Sequence, residues 1–210
     1  MTIEEYCRKH SSLPRSTPAL EWIARQTHLR TNHARMLSGP AEGGLLSAIS
    51  RLMRPRKVLE LGVFTGYSTV CLAEGLAAGG RIDAIEINDE LEDIIREGYA
   101  LAGISDKVCL HLGDALEIIP TLEEVYDLVY IDANKRHYPL YWKQVADIVR
   151  PGGAIIADNT LWDGKVIEEP APRDVQSAGI LEFNELVASD SRYSSLMLPL
   201  RDGVTIAIRN

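Results

Sequence analysis

Asp132, Asp158 and Asn159 supply three hard oxygen donors from two short stretches, Asp127-Leu-Val-Tyr-Ile-Asp-Ala-Asn-Lys135 and Ile155-Ile-Ala-Asp-Asn159. Oxygen donors with no His or Cys among them suit Mg²⁺, with Mn²⁺ or Ca²⁺ as substitutes, better than zinc, which prefers imidazole and thiolate. Either aspartate alone reads as a cap or a solvated carboxylate. Two held side by side, with an amide next to one of them, call for a cation between them. Lys135 stands three residues beyond Asp132. An isolated surface lysine is chemically idle. Beside a cation and partly desolvated, its pKa falls and the amine can take a proton from a substrate hydroxyl.

A second group precedes these. In Glu60-Leu-Gly-Val-Phe-Thr-Gly66 two glycines let the backbone turn sharply and approach a ligand, with a helix N-terminus to follow. The spacing is not the Gly-x-Gly-x-x-Gly of dinucleotide-binding loops, and a purely structural turn also uses glycine here. Glu86, in Ile85-Glu86-Ile87, falls 24 residues after Gly62, where a strand-end carboxylate can accept hydrogen bonds from a ribose diol. Gly113-Asp114-Ala115 places a small and an acidic residue where they would flank an adenine ring.

The elements that position these residues follow from periodicity. Strands are predicted at Lys57–Leu61, Arg81–Glu86, Lys107–Leu112, Tyr126–Ile131 and Ala154–Ala157. Between them lie helical patterns at Tyr67–Ala78, Glu90–Ala102, Ala115–Ile119 and Tyr138–Val149, and a long loop follows Ala157. A helix over about Val175–Ala188 precedes two closing strands, Ser195–Leu200 and Val204–Arg209, joined at Arg201-Asp202-Gly203, where Asp-Gly is expected to supply the positive φ. Such alternation implies an α/β, Rossmann-like, doubly wound and mostly parallel sheet of seven strands, and the final hairpin must be antiparallel. Ligands of such sheets sit beyond the carboxyl ends of the strands, and the residues named above cluster at those ends. With no repeat, low-complexity tract or linker, residues 1–210 read as one domain, a helical segment over 1–56 and an α/β core over 57–210.

Composition narrows the class. Hydrophobic residues at 46% and charged ones at 25% exclude disordered and fibrous chains. No apolar run approaches the ~18 residues of a membrane span. The acidic start, Met1-Thr-Ile-Glu-Glu, is unlike a signal peptide, and Cys7, Cys71 and Cys109 form neither a disulfide framework nor a metal motif, so a cytoplasmic protein is expected. The net charge of −8 argues against nucleic-acid binding. It is unevenly spread: up to Lys57, ten basic residues face four acids, a net of +6 that leaves −14 for the remainder. An acidic part suits a cation, and the basic front would favour an acidic acceptor.

Taken together the motifs resemble known enzymes. Glu-x-Gly-x-x-x-Gly, the acid ending the second strand and Gly-Asp-Ala after the third are similar to the S-adenosylmethionine (SAM) site of class I methyltransferases. Val63-Phe-Thr-Gly-Tyr-Ser68, Asp132-Ala-Asn-Lys135, Asp158-Asn-Thr-Leu-Trp-Asp-Gly164 and Leu198-Pro-Leu-Arg-Asp-Gly203 resemble the cation-dependent O-methyltransferases of the caffeoyl-CoA type, with catechol O-methyltransferases as more distant relatives. The likeness runs from about Met36 to Arg209. It implies Glu60, Gly62 and Val63 beside the methionine part of SAM, Ser68 at its carboxylate, Glu86 on the ribose and Ala115 by the adenine. It adds Met36 and Ser38, in Met36-Leu-Ser38, as a segment closing over SAM, and it places Asp132 and Asn134 near SAM as well. It makes Asp132, Asp158 and Asn159 ligands of the divalent cation, Lys135 the catalytic base, and Asp163 a neighbour of a small phenolic acceptor. It also implies a homodimer, in which the apolar face of Ala19–Ser38 could meet the partner.

Two positions depart from that pattern: Asn134 stands where the family usually has Asp, and Asp163 where it often has Asn. The N-terminal arm, which helps plant members to bind a CoA thioester, is short. Two other readings fit the same kind of sheet, a nicotinamide-dependent oxidoreductase and a SAM- or nucleotide-binding module without catalysis. The glycine spacing opposes the first, and the intact acidic set with its lysine opposes the second. Trp162, in the substrate set, and Tyr138 and Tyr141 read either as flanks for an aromatic ring or as core fillers. His10, His28, His33 and His111 read as surface or packing residues, and His137 lies near enough to Lys135 to touch a substrate.

Overall fold

The computed structural model describes residues 1–210, the side chains of Glu4 and Arg8 excepted. Its strands are β1 (Lys57–Leu61), β2 (Arg81–Glu86), β3 (Val108–Leu112), β4 (Tyr126–Ile131), β5 (Val149–Asp158), β6 (Tyr193–Leu198) and β7 (Val204–Arg209). Its helices are α1 (Ile3–His10), α2 (Pro18–Arg30), α3 (Gly39–Met53), α4 (Tyr67–Ala73), α5 (Glu92–Ala102), α6 (Ala115–Ile118), α7 (Tyr138–Val145) and α8 (Val175–Ser189). The seven strands form one sheet in the order β3-β2-β1-β4-β5-β7-β6. β4 runs parallel to β1 and β5, while β7 is antiparallel to both β5 and β6, as the alternation and the closing hairpin require. Contacts divide the chain into two compact units, one of residues 1–56, 63–82 and 88–109 and one of 57–62, 83–87 and 110–210. Among the described residues no helix is long and apolar enough to cross a membrane.

In the first unit, Thr17 caps α2 by accepting from the Leu20 amide at 3.2 Å, with Pro18 as its first residue. Ser47 and Ser50 turn into the protein from α3 and donate to the carbonyls of Cys71 and Leu72, at 3.3 and 2.6 Å, which fastens α3 to α4. The Tyr99 hydroxyl pairs with Thr69 Oγ1 at 2.9 Å and joins α5 to α4.

In the second unit, Leu59, Leu61, Val129, Ile131, Ile155 and Ala157 alternate along three strands and so share one sheet face, packed in a core with α7 and α8. Tyr138 and Trp142 meet Phe183 edge-on at 5.2 and 6.0 Å, and Trp142 meets Tyr193 at 4.9 Å. Tyr138 and Tyr141 are thus core residues, 0% and 3% exposed, rather than open faces for a ring.

Several boundaries differ from the sequence expectation, each for a local reason. α7 stops at Val145 because the next segment is drawn into the sheet: the Tyr126 amide donates to Ile148 O at 2.7 Å, and Val149 pairs with Tyr126. β5 therefore begins five residues before Ala154 and crosses Pro151-Gly152-Gly153 through a shift in register between Tyr126 and Leu128. α4 ends at Ala73 rather than Ala78, its last amides tightening to i→i+3 bonds (Glu74 to Cys71 and Gly75 to Leu72). β6 ends at Leu198 because Pro199 offers no amide to the ladder. In the turn that follows, Arg201 and Gly203 take the positive φ, at 50° and 89°, and Asp202 does not.

Gly62 sits at φ +88°, and a Cβ there would lie inside the carbonyl oxygen of Asp132. Gly79 has a comparable φ of +72° with nothing within 4 Å of a Cβ. Urea denaturation should therefore show Gly79→Ala losing about 1 kcal/mol, from backbone strain alone, and Gly62→Ala about 3 kcal/mol, strain plus overpacking. Equal losses would contradict the close approach. Burial, reinforced by the charge of Asp114, pushes the Tyr141 phenol up to about 12. Its neutral form is favoured by folding, so this contribution is complete below pH ~10, the usual tyrosine pKa, and fades as pH rises through 12. Ultraviolet titration of wild type against Tyr141→Phe should place the missing ionisation near pH 12.

Candidate active site

Backbone hydrogen bonds align the strand ends of the second unit. The Gly113 amide donates to Glu86 O at 2.8 Å, the Gly62 amide to Ile85 O at 3.0 Å, and the Asp132 amide to Leu61 O at 2.8 Å. Leu61 pairs with Ile131 and Ile131 with Ala157, so the carboxyl ends of β1, β4 and β5 stop level with one another. Whatever follows each strand is delivered to one edge.

Asp132 follows Ile131, and Asp158 follows Ala157, on adjacent parallel strands. Their carboxylates approach within 4.8 Å, and Asp158 is only 4% exposed. Asn159 comes next with left-handed backbone, φ 59°, and is half-buried. Lys135 is buried, on a 3-10 turn that Asn134 caps by accepting from the Arg136 amide. Its Nζ donates to Asp132 Oδ1 at 2.6 Å and to the Tyr138 hydroxyl at 2.9 Å. That hydroxyl also lies 3.2 Å from Ile131 O and 3.0 Å from Asp158 O. The two acids and the lysine expected from the sequence are therefore brought together, and Asn159 follows Asp158 directly in the chain.

The residues expected around SAM are distributed over both units. In the second, Glu60 is fully buried in β1, Gly62 forms the turn after it, Glu86 is the buried last residue of β2, and Ala115 is the buried first residue of α6. Asp114 caps α6 by accepting from the Leu116 amide at 2.9 Å. Asn134 is exposed. In the first unit, Val63 and Ser68 are buried, as is Ser38 just before α3, whereas Met36 ends a 3-10 turn and is 55% exposed.

The loop after β5 is held by the hairpin turn. The amides of Thr160 and Leu161 donate to the carbonyls of Gly203 and Asp202, at 3.0 and 2.9 Å, and the Asp163 amide donates to the Asp202 carboxylate. Asp163 itself is exposed, while Trp162 packs against the core with its indole nitrogen buried. A cavity of about 540 Å³ opens here, with Leu161, Val166 and Ile167 as apolar walls and Asp163, Arg201 and Asp202 as polar ones. Another, of about 430 Å³, lies at the amino ends of β4 and β5 by Ile119, Leu122 and Ile148, away from this edge.

Two residues take parts that the sequence does not show. Tyr138 reads there as a ring flank or a core filler, and its hydroxyl instead meets Lys135. Asp202 reads only as a turn residue. Of the histidines, His111 Nε2 pairs with Asp83 at 3.0 Å, and His137 accepts from Arg136 Nε at 3.0 Å.

Comparisons with known proteins identify the relatives of the chain. The O-methyltransferase family model matches residues 9–210. Caffeoyl-CoA O-methyltransferase 5 of Nicotiana tabacum is 32% identical, over 98% of this chain and 90% of its own length. Caffeoyl-CoA O-methyltransferase 1 of Eucalyptus globulus is 36% identical, over 83% of this chain and 75% of its own. Among solved structures, the Bacillus cereus O-methyltransferase in complex with SAH superposes with a TM-score of 0.88 at 30% identity, covering 99% of this chain and 97% of that one. The O-methyltransferase TomG from Streptomyces achromogenes, involved in tomaymycin synthesis and solved with SAM, gives 0.90 at 31% identity over 100% of both chains. With the class I methyltransferase sheet and a family match over nearly its whole length, the chain belongs to the O-methyltransferase family and is a SAM-dependent O-methyltransferase.

Proposed function

We propose that the enzyme methylates one hydroxyl of a catechol-like small molecule, a vicinal dihydroxyphenyl compound, in a reaction that depends on a divalent cation. The observation that carries this reading is the pairing of Asp132 with Asp158 on adjacent strand ends, with Lys135 Nζ 2.6 Å from Asp132. Two carboxylates and the Asn159 amide make an all-oxygen donor set. Carboxylates within 4.8 Å of one another, one of them buried, are stabilised by positive charge placed between them. These residues fit Mg²⁺, Mn²⁺ or Ca²⁺, and Asp132, Asp158 and Asn159 would hold it. Glu60, Gly62, Val63, Ser68, Glu86 and Ala115, with Met36, Ser38 and Asn134, are the residues we assign to SAM; the burial of Glu60 and Glu86 supports placing acids near a sulfonium and a ribose.

When bound, SAM supplies an electrophilic methyl group and the divalent cation supplies charge that lowers a phenol pKa from its usual value of about 10. The chain's own groups do the rest. Lys135 Nζ, fixed by two hydrogen bonds, takes the proton of the acceptor hydroxyl and so leaves a phenolate nucleophile. The level strand ends hold donor and acceptor residues on one rigid edge, which converts a meeting of two small molecules into a local displacement. Trp162 and Asp163 are assigned to the acceptor, and the cavity walled by Leu161, Val166 and Ile167 supports an apolar ring or tail there. The names of the plant relatives make a hydroxycinnamoyl thioester one candidate, and a free phenol or flavonoid others.

With caffeic acid and labelled SAM, added EDTA should abolish methyl transfer and excess Mg²⁺ restore it, while calorimetry shows SAM still binding. Methylation that survives EDTA would remove the cation from the mechanism. Lys135→Ala should lower kcat by roughly 100-fold or more, the usual size of a lost general base, with SAM affinity within about twofold. Undiminished turnover would remove the base.

A further inference from the structure

We propose that Tyr138 is the positioning residue for Lys135: its hydroxyl compels the lysine to act as hydrogen-bond donor on that side and thereby fixes the direction in which the amine faces the acceptor. The inference rests on the assignment of Lys135 as base and concerns the direction of the amine. A phenol has one proton and accepts through its lone pairs. Around the Tyr138 hydroxyl stand the carbonyl oxygens of Ile131 and Asp158, at 3.2 and 3.0 Å, which can only accept. The phenol proton goes to them. What remains toward Lys135 Nζ, 2.9 Å away, is a lone pair, so the lysine must donate.

Nζ also donates to Asp132 Oδ1 at 2.6 Å, and that carboxylate is likewise an acceptor. Two of the three tetrahedral positions of Nζ are thus committed to fixed acceptors. They stay committed when the amine is neutral, because an NH₂ group still has two N–H bonds to give. The third position, lone pair or N–H, is then the only one left to face a reacting hydroxyl. With Asp132 alone, two of the three positions would stay open and the amine could swing about the Nζ···Oδ1 line, so neither position would keep one direction toward the acceptor.

The surroundings make Tyr138 able to do this. It is 0% exposed, its ring meets Phe183 edge-on at 5.2 Å, and Tyr141 stands 6.2 Å away at 59°. The backbone is pinned as well: Gly179 of α8 approaches so closely that a Cβ there would lie 2.5 Å from Lys135 O and 2.7 Å from Arg136 Cα.

The test is Tyr138→Phe, which keeps the ring and removes the hydroxyl, assayed with SAM, Mg²⁺ and caffeic acid beside wild type, Lys135→Ala and the double variant. Expected is a fall in kcat of about tenfold, with acceptor KM, SAM affinity and Mn²⁺ affinity by electron paramagnetic resonance all within about twofold. In the double variant the tyrosine change should cost nothing further, because there is no amine left to aim. A crystal structure of Tyr138→Phe should show the Lys135 side chain spread over more than one rotamer. Wild-type kcat in Tyr138→Phe, with Lys135→Ala inactive and a single Lys135 rotamer, overturns the positioning role and leaves the base intact. An equal tenfold loss on the Lys135→Ala background also overturns it, since the hydroxyl would then act without the lysine. Full turnover in Lys135→Ala itself would instead sink the base assignment, and the positioning role with it.

Discussion

The level register of β1, β4 and β5 is the constraint on which the site depends. Parallel strands shifted by one residue would exchange the faces of every side chain beyond them, and Asp132 would no longer stand beside Asp158. Leu61, Ile131 and Ala157 hold this register through the ladder, and the contact between Gly62 and the Asp132 carbonyl locks it at the end, where the ladder gives out. The candidate residues therefore stand at the strand ends, Asp132 just past β4 and Asp158 as the last residue of β5, still paired with Val204. Both share the rigidity of the sheet.

Much of this could be read from the amino acids, and the exceptions have physical causes. β4 and β7 match their expected spans because an apolar run of that length, bounded by polar residues, has no competing periodicity. The start of β5 was hidden because Pro151-Gly152-Gly153 normally marks a turn, and only its neighbour Tyr126 draws Val149 into the sheet. α3 was not separated from the rest of the N-terminal segment, since its glycines at 39, 43 and 44 dilute the pattern that Leu46 and Ser50 would show. The acids and Lys135 were legible because oxygen donors after consecutive strands are a pattern of type and spacing together. The role proposed for the Tyr138 hydroxyl was not, because it depends on two backbone carbonyls that no residue type encodes.

Charge is distributed in keeping with this division. Glu60, Glu86 and Asp158 are at most 7% exposed, and burying a charge is costly unless it is compensated. They lie at or beside strand ends, where a cationic methyl donor and, on the reading proposed above, a metal ion would meet them. Most of the remaining acids of the chain are solvated, so the overall charge reflects the surface more than the site.

The hairpin between β6 and β7 has a wider consequence. Its turn grips the backbone of Thr160, Leu161 and Asp163 and contributes Arg201 and Asp202 to the walls of the larger cavity. Those walls come from segments outside the ladder, whereas the acids and the lysine are tied to it. The two can change separately in evolution. Substitutions and small insertions at 161–167 and 199–202 would reshape the cavity while the strand ends keep their register. A lineage built on this sheet can diversify in what it accepts without rebuilding how it reacts.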